Sequence, residues 1–349
     1  MVKLDELPPE LHGAIARQLG GPDLADLRAL SLVSRAFAAP AQIAMVEDIY
    51  LRTDRGVDAA IEWLSARPDL ALRVRSLKCC ERPSWPEPRA LSQIQVLTLV
   101  ELMPRLEGAD ICGFHPAGGH EVMIAVGAIG RPLRSLDLTA GVGEMAGPAC
   151  TILGQSRMTL HTLRAWDWFS PGLSGVGEWP WCLPALRRVE YWSSRRQPGD
   201  LMRSVLRNAP NLRTVRAPLH GLRRLRHPVV AQMDSVTTCA DWVTAHGLAL
   251  EIAHYKRLRF LTLDICATNE TAFKLLRFLP PSLIDLNLDG AYVELWRLFF
   301  LVQSGTWLPH LQRICLPRES VDGTAKWEAP ELRWACARFG LESYESARD

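Results

Sequence analysis

No C-x-x-C pair occurs anywhere in this 349-residue chain. The cysteines, at 79, 80, 112, 150, 182, 239, 266, 315 and 336, are odd in number and scattered, which excludes a zinc ribbon or a disulfide framework by spacing. They read as small buried hydrophobes in a reducing compartment. The stretch "CGFHPAGGH" gathers Cys112, His115 and His120, but glycine and proline make it a loop and a fourth ligand is missing. No metal or cofactor is expected. Long apolar runs are absent too. The most apolar stretch, "LWRLFFLV" (295–302), falls far short of the roughly 20 residues a bilayer requires. The start, "MVKLDELPPE", is acidic where a signal peptide would be basic and then apolar. A soluble protein of the cytoplasm or nucleus is expected, with no membrane partner. Charge is balanced at +2, which excludes neither acidic nor basic partners.

The chain also lacks G-x-S-x-G and G-x-x-x-x-G-K-[ST]. "GVGEMAG" (141–147) has glycines but no nucleotide-binding βαβ context, and reads as a turn. No catalytic constellation is found, and an enzyme is not expected.

What is present is a recurring phrase. "LRVRSLKC", "MPRLEGADI", "RPLRSLDL", "LHTLRAW", "LPALRRVEYW", "APNLRTVRA", "YKRLRFLTL", "PPSLIDLNL" and "LPHLQRICL" all fit L-x-x-L-x-L with apolar substitutions. Their middle apolar residues are Leu77, Ala109, Leu136, Leu163, Val189, Val215, Leu261, Leu286 and Ile314, at intervals of 32, 27, 27, 26, 26, 46, 25 and 28. The interval of 46 predicts one degenerate copy near "MDSVTTC" (233–239). This is the strand signature of a leucine-rich repeat. One strand-plus-helix unit cannot bury its own apolar face, so successive units stack. "IQVLTLV" (94–100) could supply an alternative strand register but is read as helix. "YVELWRLFFLVQSG" is expected to lie buried between repeats, and the helix "PELRWACARFG" (330–340) to close the stack.

Residues 4–37 are richer in apolar side chains than such short helices can hide. Leu7, Leu11, Ile15 and Leu19 share one helical face; Leu24, Leu27, Leu30, Val33 and Phe37 form a second stripe. A module of about 45 residues is near the limit for an independent core, so some stripe residues should meet another surface. Leu7, Pro8, Glu10, Leu11, Ile15, Leu19, Asp23, Leu24, Leu27, Val33, Ser34, Arg35 and Phe37 together resemble the F-box motif. Gly13 and Ala14 depart from it by being unusually small. The resemblance implies docking on a Skp-type adaptor of cullin–RING (SCF-type) ubiquitin ligases through Leu7, Pro8, Glu10, Leu11, Ile15, Leu19, Leu24, Leu27, Val33 and Phe37. It also implies a substrate-receptor role.

The expected fold is therefore α/β: a three-helix F-box (1–50), a connecting helical segment (51–71) and a leucine-rich-repeat solenoid (72–349). The solenoid is expected to have a curved parallel sheet on its concave side and helices on its convex side. Residues flanking the ladder face the concave side. Arg164, Trp166, Arg188, Glu190, Trp192 and Arg216 are the candidate substrate-binding set, because exposed Trp and Arg dominate binding hot spots. From 186 to 226 there are eleven arginines against Glu190 and Asp200. Trp296 and Trp334 are read as core. Two functions stay open. One is a ubiquitin-ligase receptor engaging an acidic or phosphorylated protein segment. The other is a repeat scaffold without a ligase role, for an acidic or a nucleic-acid partner. If Leu24, Leu27 and Val33 pack on the first repeat, the receptor reading loses its main support.

Overall fold

A computed structural model of the chain describes residues 7–18, 25–51, 54–80, 93–112, 116–138, 146–166, 182–192, 200–218, 222, 225, 227–241, 252, 254–266, 269–289, 291, 295–316 and 328–344. The chain forms two compact units, Met1–Leu173 and Ser174–Asp349.

The first unit opens with three helices, α1 (Pro9–Gln18), α2 (Ala25–Val33) and α3 (Arg35–Glu47). Proline in its first turn, with Glu10 beside it, starts α1 where free N–H groups and the helix dipole favour them. Ser34 caps α3: its Oγ accepts from the Ala36 N–H at 3.1 Å. Both α1 and α2 pack on α3. The chain then passes through β1 (Asp48–Leu51), α4 (Asp54–Ala66), α5 (Pro68–Ala71), β2 (Ser76–Cys80) and α6 (Gln93–Leu102). It continues as β3 (Gly108–Cys112), α7 (Pro116–Ile129), β4 (Ser135–Leu138), α8 (Ala146–Gln155) and β5 (Thr162–Trp166).

These five strands are parallel and ordered as in sequence. Ile49, Leu77, Ala109, Leu136 and Leu163 stand opposite one another, which is the ladder expected from the repeated phrase plus one rung before it. Leu77, Ala109, Leu136 and Leu163 are buried. Burying each leucine removes apolar area worth roughly 1.5–3 kcal/mol, and stacking extends that gain from one repeat to the next. The first rung is new: α3 runs directly into β1, so residues 48–51 belong to the sheet. "IQVLTLV" is helical, in α6.

The second unit contains β6 (Arg188–Trp192), α9 (Asp200–Arg207), β7 (Thr214–Arg216), α10 (His227–Val230), β8 (Ser235–Asp241) and β9 (Phe260–Cys266). It ends with α11 (Asn269–Arg277), β10 (Asp285–Asn287), α12 (Leu295–Gln303), β11 (Arg313–Cys315), α13 (Glu328–Arg338) and β12 (Glu342–Tyr344). Its seven strands are again parallel and sequential, with Val189, Val215, Val236, Leu261, Leu286, Ile314 and Ser343 in register. The degenerate copy expected near 233–239 is β8, and Val236 splits the long interval. The helix expected to close the stack, α13, is instead followed by a further strand whose ladder residue is Ser343. Serine there hid the repeat from an apolar search.

One backbone device recurs. In several repeats the carbonyl just before the strand accepts two N–H groups from the next repeat, as Arg213 O does from Asp234 and Ser235, and Asp234 O from Arg259 and Phe260. Side chains reinforce these turns. Arg187 Nη1 donates to Asn211 O at 3.1 Å, Arg213 Nη1 to Gln232 O at 3.0 Å, and Trp307 Nε1 to Leu276 O at 2.8 Å. Backbone carbonyls that face the next repeat are thereby satisfied.

Candidate protein-interaction surfaces

The helical module divides its stripe residues between inside and outside. Leu27 is fully buried with Ala16, Ala41 and Ala44, with Leu30 and Met45 packed against them. Phe37 is also fully buried, its ring 4.5 Å from that of buried His12. Those two residues belong to the module's own core. Val33, by contrast, is 66 % exposed and Leu11 47 %. Leu7 and Ile15 are half-buried; Pro8 and Glu10 are exposed. Leu19 and Leu24 lie outside the described residues. Leu32, which the sequence reading did not select, is 86 % exposed. Its signal was its place on α2: five residues after Leu27, about 140° away around a helix, it faces away from α3. An exposed Leu or Val forgoes about 1.5–3 kcal/mol of burial, so exposed aliphatics on α1 and at the end of α2 are surfaces a partner can use.

The sheet faces form the second candidate. In the first unit, Lys78 Nζ donates to Asp48 Oδ2 and to Tyr50 OH, both at 2.8 Å, with its ammonium 4.7 Å from the Tyr50 ring. Burial alone would lower the Lys78 pKa, but the bonds to Asp48 and Tyr50 outweigh it and hold the ammonium above its ordinary value. Asp110 and Asp137 are cross-strand partners, and Arg164, exposed on β5, pairs with Asp137 at 3.7 Å. The row Lys78, Asp110, Asp137, Arg164 therefore places two carboxylates between two cations across four strands.

In the second unit, Arg188 Nε donates to Glu190 Oε1 at 2.6 Å. Glu190 is buried, so Arg188 serves first to neutralise it. Arg216, exposed on β7, stands opposite Glu190. Further along, Arg313 Nη2 lies 2.6 Å from Asp285 Oδ2, and Tyr344 OH donates to Asp285 Oδ1 at 3.1 Å. Burial, then the neighbouring Asp285 charge, pushes the Tyr344 phenol up to about 12. Between these pairs stands Phe260, an exposed aromatic on β9, with the Arg259 guanidinium 5.6 Å from its ring. Arg259 also lines a groove of about 480 Å³ with Ser282, His310 and Gln312, at the edge where β9, β10 and β11 begin. Phe260 was legible as a flanking residue of "RFLTL"; only its exposure separates it from the other flanking positions.

Of the six sheet-face candidates, Arg164, Arg188, Glu190 and Arg216 flank the ladder as expected. Trp166 and Trp192 fall in β5 and β6, but their side chains lie outside the described residues. Three arginines of that sector are structural: Arg187 and Arg213 hold turn carbonyls and Arg188 holds Glu190. Trp296 and Trp334, read as core, are exposed. Among the described residues no group of three His, Cys, Asp or Glu side chains could hold a metal ion. Within the same residues no helix is long and apolar enough to cross a membrane.

The architecture is that of a leucine-rich-repeat protein, an α/β fold of stacked strand-plus-helix units behind three N-terminal helices. No protein-family profile matches the chain, and no curated protein does. Among solved structures it is similar to one described as the complex of Rad7 and Elc1 in yeast, at 13 % identity over 98 % of this chain and 93 % of that chain, with a TM-score of 0.45. A structure of the TLR13–ssRNA13 complex is similar at 12 % identity over 72 % of this chain and 47 % of that one, with a TM-score of 0.22.

Proposed function

We propose that this protein is a non-catalytic substrate receptor. In this reading α1–α3 dock on a Skp-type adaptor of a cullin–RING ubiquitin ligase, and the open sheet faces hold a target protein for ubiquitination. The observation that carries it is the division within the helical module. Leu27 and Phe37 complete an internal core, while Leu11, Leu32 and Val33 remain exposed on α1 and α2. A module already packed has no internal use for those three, and an adaptor groove has. The target surface is the strand face that carries Arg216 on β7, Phe260 on β9 and the Asp285–Arg313 pair, an exposed aromatic among charges, which suits a protein segment carrying both apolar and acidic side chains.

The test is a pull-down of purified Skp-type adaptor by the full chain. Leu11→Ala, Leu32→Ser and Val33→Ser together are expected to cut recovery at least tenfold, while circular dichroism and thermal unfolding stay close to wild type because all three residues are exposed. Equal recovery by the variant, or no recovery by the wild type, would leave the repeats as a scaffold without a ligase role.

A further inference from the structure

The last three helices of the second unit carry a surface that neither the adaptor nor the sheet face uses. Phe278 just after α11, Trp296 and Phe300 on α12, Trp334 on α13 and Phe339 just after it are 41–58 % exposed. α12 packs against both α11 and α13. A Cβ on Gly305, just past α12, would lie 3.1 Å from the Phe339 ring, so the C-terminal ends of α12 and α13 meet there. Trp296 and Phe300 lie edge to face at 5.8 Å. The helices are attached to their repeats through other side chains, among them Leu275, Leu298, Val302 and Leu332, all buried. The aromatics are therefore surplus to the fold's own packing.

Cations are interleaved with these rings. The Arg297 guanidinium lies 5.1 Å from the Trp296 ring and 5.5 Å from that of Phe273; that of Arg338 lies 5.5 Å from the Trp334 ring. Lys274, Arg277 and Arg333 are exposed on the same helices. The acids of these helices, Glu270, Glu328 and Glu331, all fall in first turns, which leaves the C-terminal halves of α11 and α13 positive.

We propose that the outer face of α11–α13 is a docking site for an acidic amphipathic helix of a partner protein. Its apolar side chains, spaced by three and four residues, enter among the rings, and its carboxylates meet Arg277, Arg333 and Arg338. Charge selects this occupant over a second copy of the chain, which would present the same positive face. The proposal stands apart from the adaptor reading, because none of its residues lies in α1–α3 or on a sheet face.

Immobilised full-length protein is panned against a phage-displayed library of helical peptides of about 15 residues, and enriched sequences are synthesised and titrated by fluorescence anisotropy. The expected sequences carry Asp and Glu along one face and Leu, Phe or Trp along the other. Phe300→Ser with Trp334→Ser weakens them at least tenfold, as does Arg333→Glu with Arg338→Glu, and adding salt weakens the wild-type complex. All four positions are exposed, and both variants should retain the wild-type circular dichroism spectrum and the wild-type response to the adaptor. Enrichment of sequences without acidic residues overturns the proposal, as does equal affinity for both variants. So does a library that yields nothing, including the case where vesicles of phosphatidylserine and phosphatidylcholine bind through the same aromatics.

Discussion

Single side chains on one helix have opposite fates here. Leu27 and Leu32 sit five residues apart on α2, yet one is fully buried and the other almost bare. Periodicity placed Leu27 on an apolar face, but which face meets α3 depends on the partner helices. Arg188 and Glu190 show the same dependence in charge. Both flank the ladder, and the burial of Glu190 turns Arg188 into its counter-ion. Cys150 gives this scale its prediction. Burial pushes its thiol up to about 11, and the thiolate is the reactive form. Its alkylation by iodoacetamide should climb about tenfold per pH unit from 8 to about 11, where the thiolate begins to saturate. Peptide mass mapping across that range checks it, and a plateau near pH 9 would show an unperturbed thiol.

At the scale of elements, the repeats were legible wherever the ladder residue was apolar. β8 was found through Val236, although its interval is short. β12 was missed because Ser343 occupies its rung, and β1 because its four residues follow α3 without a break. β3 is weak in side chains but not in place. Its Ala109 continues the ladder, and a Cβ on Gly108 would fall 2.6 Å from Ser135 Oγ, so glycine lets β4 approach closely. The ladder should dominate stability over the caps. Leu286→Ala, at a fully buried rung, is expected to cost about 2–5 kcal/mol by urea denaturation. Ser34→Ala, which removes the α3 cap, should cost about 1 kcal/mol. A larger loss from the cap than from the rung would reverse that ranking.

At the scale of the whole molecule, the formal balance of charge conceals local roles. The eleven arginines of 186–226 looked like one positive sector, but Arg187, Arg213 and Arg188 hold carbonyls and a buried carboxylate within the repeats. Arg216 on β7 and Phe260, two strands further on, are exposed side chains presented to a target. Phe260→Ala with Arg216→Glu should reduce, at least tenfold, recovery of the target captured by affinity purification of the wild type, with the unfolding midpoint nearly unchanged. Undiminished recovery would move the target off the second unit's sheet face.

The sequence by itself determined the class of fold, because an apolar ladder repeating mostly every 25–28 residues is buried by stacking parallel strands. It also marked residues 4–37 as short helices with more apolar surface than they can hide. Tertiary structure alone decided which of those apolar residues turn inward, which arginines are neutralised, and that Trp296 and Trp334 are exposed. Those outcomes depend on distances between residues a repeat or more apart, and burial is set by the neighbour that arrives in space, which local periodicity does not encode.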